Sequence, residues 1–167
     1  MSLQNAVIFF LVLIILFILI LSIIFWKFMN KNFEQISIKP GFMKHNGGLL
    51  FKTISENEYQ FKTVITENHL NAAGITHGGF ISAVVDAGAG TAAHRAANQN
   101  PCVTVSLELK FISAIKLGQE LLGKTKIQKK TKSMIFLTCE LKTSDKIVAT
   151  ASGVWKILKL TGAGPGG

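Results

Sequence analysis

Residues 69–86, with the sequence HLNAAGITHGGFISAVVD, decide the fold of this chain. The stretch begins as a polar loop, tightens at Gly78 and Gly79, and continues in apolar and small residues as far as Ala97. This pattern predicts a helix over residues 77–97, because the run is longer than an ordinary strand. Its small residues fit a helix that other elements wrap closely, where large side chains would have no room. The sequence therefore predicts one long central helix with the rest of the domain packed around it.

Chemistry is suggested at two points of this stretch. Gly78 and Gly79 lie where the loop becomes the helix, so their N–H groups are first-turn donors that can hold an anion or a developing oxyanion. Asp86 follows some two and a half turns later among Val and Ala residues, with no stabilising ion-pair partner one turn away. A carboxylate in that setting is a candidate general base or nucleophile that faces a cleft. The alternatives are a Gly-Gly pair that only permits a tight turn and an Asp86 that is simply exposed to water.

Three more polar residues belong to the same region. Taken alone, Asn71 is typical of a local turn cap, and Thr104 is typical of a strand. His77 is a candidate helix-start cap or a residue that orients its neighbours. No Ser or Cys motif accompanies His77, so a Ser–His–Asp triad is not indicated.

Six further segments have the composition of strands. They are rich in aromatic and β-branched residues and are separated by turn residues, and they cover residues 48–55, 58–66, 102–113, 119–128, 134–143 and 146–158. In the third segment, alternation predicts one common face for Val103, Val105, Leu107, Leu109 and Phe111. The order is a hairpin, the helix, and four strands in a meander. It predicts an α+β domain in which an antiparallel sheet of five or six strands curls around the helix. The remaining sheet edges would favour pairing with a second copy.

Residues 6–26, AVIFFLVLIILFILILSIIFW, contain no charged residue. As a helix they span about 31 Å, the thickness of the hydrocarbon core of a bilayer. A cleaved signal peptide would begin with positive charge and end in small residues, whereas here the first charge is Lys27 and the run ends in Phe25-Trp26. A buried core helix would not be apolar on all sides for so long. The segment therefore predicts a retained single-pass transmembrane anchor.

The flanks of this segment predict its orientation. No Lys or Arg precedes it and several Lys follow it, so the positive-inside tendency places the C-terminal domain in the cytoplasm. The predicted organisation is an anchor at 1–26, a linker at 27–45, a domain at 46–160 and a flexible Gly-rich tail at 161–167.

The formal charge of +9 falls entirely after the anchor. It is explained either by attraction to anionic lipid or by a phosphate-bearing ligand. Nucleic acid is not expected as a partner, since no recognised binding motif accompanies the basic residues. Cys102 and Cys139 form neither a disulfide framework nor a metal site, and His45, His69 and His94 lack metal-ligand spacing. No metal or other cofactor is therefore predicted.

The pattern N-x-x-G-x-x-H-G-G at residues 71–79, followed by Asp86, resembles the signature of hotdog-fold acyl-CoA thioesterases. The most similar group is the phenylacetyl-CoA thioesterase-like group, which includes the mammalian thioesterase superfamily proteins. VTVSLELKFISAIKLGQ at 103–119 and IVATASGVW at 147–155 are also similar to that group, so the resemblance covers residues 46–158. It implies a curved antiparallel sheet around a long helix, in a homodimer or homotetramer.

The resemblance also implies a role for each motif residue. Asp86 would be the catalytic carboxylate, as base or nucleophile, and Gly78 would supply an oxyanion-hole N–H. Asn71 would position the thioester or the attacking water, and Thr104 would orient that water. His77 would contact the thioester region or support the loop. In the family these groups meet across the dimer interface, with Asp86 from one subunit and Asn71 and Gly78 from the other.

The function that follows is a membrane-anchored acyl-CoA thioesterase, with acyl carrier protein as the alternative thiol carrier. The alternative of another class is a non-catalytic, membrane-tethered acyl-CoA-binding or scaffold dimer, which would not need Asp86. One departure from the family is the segment Phe111-Ile112-Ser113, which lacks the proline that often follows the strand aromatic. The anchor is also unusual for the group and points to an acyl chain derived from a membrane.

Overall fold

The computed structural model describes residues 3–29 and 33–159. The chain divides into two compact units between Phe33 and Glu34. The expected tail at 161–167 lies outside the described residues, as does the middle of the expected linker at 30–32.

The first unit contains the helix α1, Leu3–Met29. Its segment Val7–Ile24 has a mean hydropathy of 3.7 and is long and apolar enough to cross a membrane, and none of it is buried. By its length and composition alone, this helix is a candidate membrane span.

The described residues of the second unit form seven strands and one long helix. In chain order the elements are β1 (Glu34–Ile36), α2 (Phe42–His45), β2 (Leu49–Thr53), β3 (Glu58–Val64), a 3₁₀ turn (Glu67–His69), α3 (Gly78–Ala96), β4 (Cys102–Phe111), β5 (Glu120–Lys130), β6 (Met134–Lys142) and β7 (Ile147–Ile157). The predicted central helix is thus confirmed as α3, one residue shorter at each end. It is buried along most of its length by the sheet.

The sheet is antiparallel, with the strand order β1-β2-β3-β5-β6-β7-β4, and curls around α3 as the hotdog fold does. The prediction of five or six strands was wrong, because Glu34–Ile36, inside the expected linker, pairs with β2 as an edge strand. The meander was wrong as well. The connection after β4 crosses from one edge of the sheet to its middle, so that β5 pairs with β3 and β4 pairs with β7. Local patterning identifies strands but does not determine which strand pairs with which.

Phe61 shows why α3 needs glycine. Its ring lies between the helix and the sheet, so a Cβ on Gly88 would approach Phe61 to 2.4 Å and a Cβ on Gly123 to 2.3 Å. Two side chains of any size at these positions would displace the ring. The expectation of a closely wrapped, glycine-containing helix is therefore confirmed at Gly88.

A β-bulge changes the facing of β4. Its register with β7 shifts between Thr104 and Ser106. The prediction of one common face for the alternating apolar residues was wrong for this reason, since an extra residue reverses the facing of the side chains beyond it. Val103 and Val105 are 44% and 56% exposed, whereas Thr104 pairs with the buried Trp155 and faces α3.

Candidate active site

Asp86 on α3 and Thr104 on β4 are in direct contact. The Thr104 hydroxyl donates a hydrogen bond of 2.6 Å to Oδ1 of Asp86. Both residues are exposed and line an open groove between the helix and the strand, which also includes Gly90 and Trp155. Asp86 therefore faces a cleft in the single chain, and its partner is one that neither the helix periodicity nor the neighbouring residues indicated.

The loop-to-helix junction leaves one backbone donor free. His77 is the N-cap of α3, and its Nδ1 accepts a 2.8 Å hydrogen bond from the N–H of Gly79. Within the described residues, the N–H of Gly78 has no hydrogen-bond partner. The ring of Phe111 lies beside it, 3.5 Å from where a Cβ on Gly78 would be. Of the two glycine donors considered from sequence, only Gly78 is available to an oxyanion.

Asn71 shapes the loop that leads into the helix. Its Oδ1 accepts hydrogen bonds from the N–H groups of Ala73 at 2.9 Å and Ile75 at 3.4 Å, and its own N–H donates to the carbonyl of Ile75 at 2.8 Å. This is the turn-cap role that Asn commonly has. The side-chain amide Nδ2 has no partner in the described part of the chain, so its donors remain available for a ligand.

His69 packs against the start of α3 and stabilises the loop-to-helix junction. This role was not identified from the sequence. It is 3% exposed, and its ring stacks on Phe80 at a centroid distance of 3.7 Å. Nδ1 accepts from the N–H of Thr66 at 3.1 Å, so Nε2 carries the proton and faces the carbonyl of Asn46 at 3.2 Å. Burial lowers the pKa of His69, which keeps the ring neutral. The only sequence signal was a histidine two residues before the motif, without a partner that local spacing could identify.

Loop and helix start are further fixed to the β4–β5 connection. Thr76 donates to the carbonyl of Ile115 through both its backbone N–H and its hydroxyl, each at 2.9 Å. The N–H of His77 donates to the carbonyl of His69 at 2.8 Å. The free Gly78 donor is thus held on a rigid frame.

The structure brings the predicted site residues together as two separate groups. Asp86 and Thr104 form one group, and Gly78 and His77 form the other at the start of α3. The helix rises about 1.5 Å per residue, so Asp86 lies about 12 Å along the axis from Gly78. A single thioester carbonyl cannot contact both of them within one chain.

Metal ligation is not supported by the described residues, among which no group of three or more His, Cys, Asp or Glu side chains is placed to hold an ion. Both Cys102 and Cys139 are free thiols.

Comparison with known proteins agrees with this fold. Residues 73–150 match the family model of the thioesterase superfamily. The Pseudomonas aeruginosa protein named "Putative esterase PA0474" is 36% identical over 94 residues, which are 56% of this chain and 70% of that protein. Acyl-coenzyme A thioesterase 13 of Mus musculus is 30% identical over 87 residues, which are 51% of this chain and 62% of the mouse protein.

The fold is also shared with a solved structure. The crystal structure of zebrafish thioesterase superfamily member 2 superimposes with a TM-score of 0.66 at 21% identity, over 72% of this chain and 88% of that one. The matched family segment contains Gly78, Asp86 and Thr104. The chain is thus a hotdog-fold protein and belongs to the thioesterase superfamily.

Proposed function

We propose that this protein is an acyl-CoA thioesterase that hydrolyses its substrate to a free acid and coenzyme A. The observation that carries the proposal is the contact between Thr104 and Asp86 at the edge of an open groove. The name of the mouse relative, an acyl-coenzyme A thioesterase, supports coenzyme A as the thiol.

Asp86 is the general base in this proposal. The Thr104 hydroxyl binds Oδ1 and fixes the orientation of the carboxylate, while Oδ2 has no partner within the described residues. Oδ2 accepts a proton from water as the water oxygen attacks the thioester carbonyl carbon. Single-turnover hydrolysis in heavy-oxygen water would then label the product acid only. Label in the Asp86 carboxylate would instead show that Asp86 attacks directly.

Gly78 of a second subunit supplies the oxyanion donor. Its free N–H lies at the positive end of α3, where it can bind the negative charge that develops on the carbonyl oxygen. The separation of about 12 Å between Gly78 and Asp86 in one chain supports a site that two subunits share. Asn71 Nδ2 and the His77 ring lie on the same loop as Gly78 and position the thioester beside it.

The edge strand β4 supports a homodimer, or a tetramer built from such dimers. It ends the sheet and presents exposed apolar side chains at Val103 and Val105. An unpaired ten-residue edge of this kind is suited to pairing with a second copy. Since Thr104 belongs to the same strand, pairing there would bring a second subunit to the groove.

The helix α1 serves as a single-pass membrane anchor in this proposal, with the thioesterase domain in the cytoplasm. Its apolar length and the lysines that follow it support this arrangement. Carbonate extraction of membranes from expressing cells tests the anchor, and protease access to the domain in sealed vesicles tests the orientation.

The catalytic proposal is tested with the full chain in detergent or vesicles. A panel of acyl-CoA esters is hydrolysed by the wild type and by Asp86→Asn, with thiol release as the readout. Loss of a general base costs about 10²–10⁴ in kcat. Equal turnover by both proteins would refute the role of Asp86, whereas ester binding without turnover by either would favour the non-catalytic scaffold.

A further inference from the structure

The indole N–H of Trp155 is a donor without a partner among the described residues, and it lines the groove of Asp86. Trp155 is only 1% exposed. Its Nε1 makes no hydrogen bond within the described part of the chain. Thr125 Oγ1 is the only described side-chain N or O atom that is both fully buried and unpaired, so the indole N–H is reached from the groove and can donate to an acceptor that enters it.

This donor lies in the groove of Asp86. Trp155 is the cross-strand partner of Thr104, whose hydroxyl binds Asp86, and both residues line the groove. Nε1 is 3.3 Å from the point where a Cβ on Gly90 would be. Because Gly90 has no side chain, the space above the indole N–H remains open to a ligand.

The position relative to Asp86 defines what can bind there. Gly90 follows Asp86 by one turn of α3, about 6 Å along the axis and away from Gly78. If the thioester carbonyl is at Asp86, the Trp155 N–H is within reach of a substrate atom a few bonds from that carbonyl. The polar ring of His94, one further turn along the helix, continues this lining.

We propose that Trp155 is a specificity-determining residue that donates a hydrogen bond to an oxygen on the acyl group. The preferred substrates are acyl-CoA esters with a hydroxyl or keto oxygen near the thioester. This inference rests on the proposed function for the identity of the reaction. The unpaired donor and the groove that it lines are observed in the structure whether or not that proposed function is correct.

Paired esters test the preference. The kcat/KM values of β-hydroxyhexanoyl-CoA and γ-oxohexanoyl-CoA are compared with that of hexanoyl-CoA for the full chain. The oxygenated esters are expected to be favoured about two- to tenfold, the contribution of one neutral hydrogen bond. A wild type that does not distinguish the three esters overturns the proposal.

Two variants remove the donor by different routes. Trp155→Phe deletes the N–H, and Gly90→Ala covers it with a methyl group without altering the indole. Each is expected to bring the ratio of oxygenated to plain ester close to one. Thr91→Val is the matched control, since it changes the same groove while the Thr91 hydroxyl binds only the carbonyl of Ala87. An unchanged ratio in Gly90→Ala, the milder substitution, would contradict the proposal even if Trp155→Phe fails to fold.

A binding measurement separates this inference from the proposed function. Trp26 and Trp155 are the two tryptophans of the chain, so Trp26→Phe leaves Trp155 as the single indole fluorophore. In a Trp26→Phe, Asp86→Asn double variant the same esters are titrated against indole emission. Tighter binding of the oxygenated esters supports the subsite even if the wild type hydrolyses none of them. Hydrolysis by the wild type with equal binding of all three esters refutes the subsite and leaves the thioesterase proposal standing.

Discussion

Thr104 and Asp86 are joined by a 2.6 Å hydrogen bond that links the edge strand β4 to the central helix α3. The bond exists because a β-bulge after Thr104 keeps its side chain on the helix-facing side of the strand. The hydrogen bond thereby joins a helix carboxylate to a strand hydroxyl that lies 18 residues away in the sequence.

Thr104→Val should reduce catalysis while preserving the fold. Valine has nearly the same shape as threonine but cannot hold the carboxylate, and a hydrogen bond to a charged group contributes about 1.5–3 kcal/mol. We expect kcat/KM to fall about 10- to 150-fold, as measured by thiol release. Thr104→Ser keeps the hydroxyl and should retain most of the activity. A valine variant as active as the serine variant would contradict the orienting role.

Gly78→Pro should abolish the oxyanion donor with little change in backbone. Proline is tolerated at the first position of a helix, and His77 before it has the extended φ of −63° and ψ of 131° that a following proline requires. Loss of one oxyanion donor predicts a fall in kcat of about 10²–10³. Gly78→Ala is the control: it retains the N–H, and its Cβ would contact Phe111 at an ordinary 3.5 Å.

Mixing inactive variants tests whether two subunits share one site. When Asp86→Asn and Gly78→Pro proteins are denatured and refolded together, some mixed dimers should contain one site with neither defect, and activity should return. A mixture of Thr104→Val and Asp86→Asn proteins should not exceed the activity of Thr104→Val alone. The same subunit contributes both residues to a site, so every site in a mixed dimer carries one of the two defects. Absence of recovery in the first mixture, with mixed dimers verified by affinity tags, would argue against the shared site.

Gly88→Ala should destabilise the domain. The new Cβ would lie 2.4 Å from Phe61, and such overpacking costs about 1–3 kcal/mol. Gly90→Ala in the same helix meets Trp155 at 3.3 Å, and alanine favours a helix by about 1 kcal/mol over glycine. Denaturant unfolding of the two variants should therefore give a clear loss for Gly88→Ala and little change or a gain for Gly90→Ala. Equal stabilities would show that the Phe61 contact is not tight.

Stability should decrease in mild acid because of His69. Burial lowers its pKa in the folded state below the unfolded value of about 6.5, so the fold favours the neutral ring. The contribution is fully present above about pH 6.5 and is lost as the pH falls from there through the lowered folded pKa, by up to about 1.4 kcal/mol per pH unit. His69→Gln should flatten the decline in unfolding free energy between about pH 7.5 and 5.5. His45→Gln, at an exposed position, should leave the decline as in the wild type.

Alkylation should distinguish the two thiols. Burial raises the pKa of Cys139 to about 12 and also raises that of Cys102, which is only partly buried. The thiolate is the reactive form, so iodoacetamide at about pH 8 should modify Cys102 slowly and Cys139 not at all in the folded protein. Because Cys102 lines the Asp86 groove, its modification should also inhibit hydrolysis. Mass spectrometry of the labelled peptides provides the readout, and faster labelling of Cys139 would contradict the packing.

The sequence by itself determined the elements and the motif. The run of small and apolar residues after Gly79 predicted α3 to within one residue, because helical periodicity and glycine content are local properties. The motif that contains Gly78 and Asp86 indicated the superfamily, which the comparisons bear out. The sequence also predicted the long apolar helix before Lys27, since length and hydropathy alone identify a helix that could cross a bilayer.

Only the tertiary structure decided how these parts meet. The pairing of β4 with β7 and the short strand β1 depend on contacts between distant residues that no local pattern records. The same holds for the bulge that turns Thr104 toward Asp86, for His69 beneath Phe80, and for the unpaired N–H of Trp155 beside Gly90. Local propensity fixes which residues form a strand or helix, whereas a site is fixed by packing across the sheet, where one extra residue reverses which side chains face the helix.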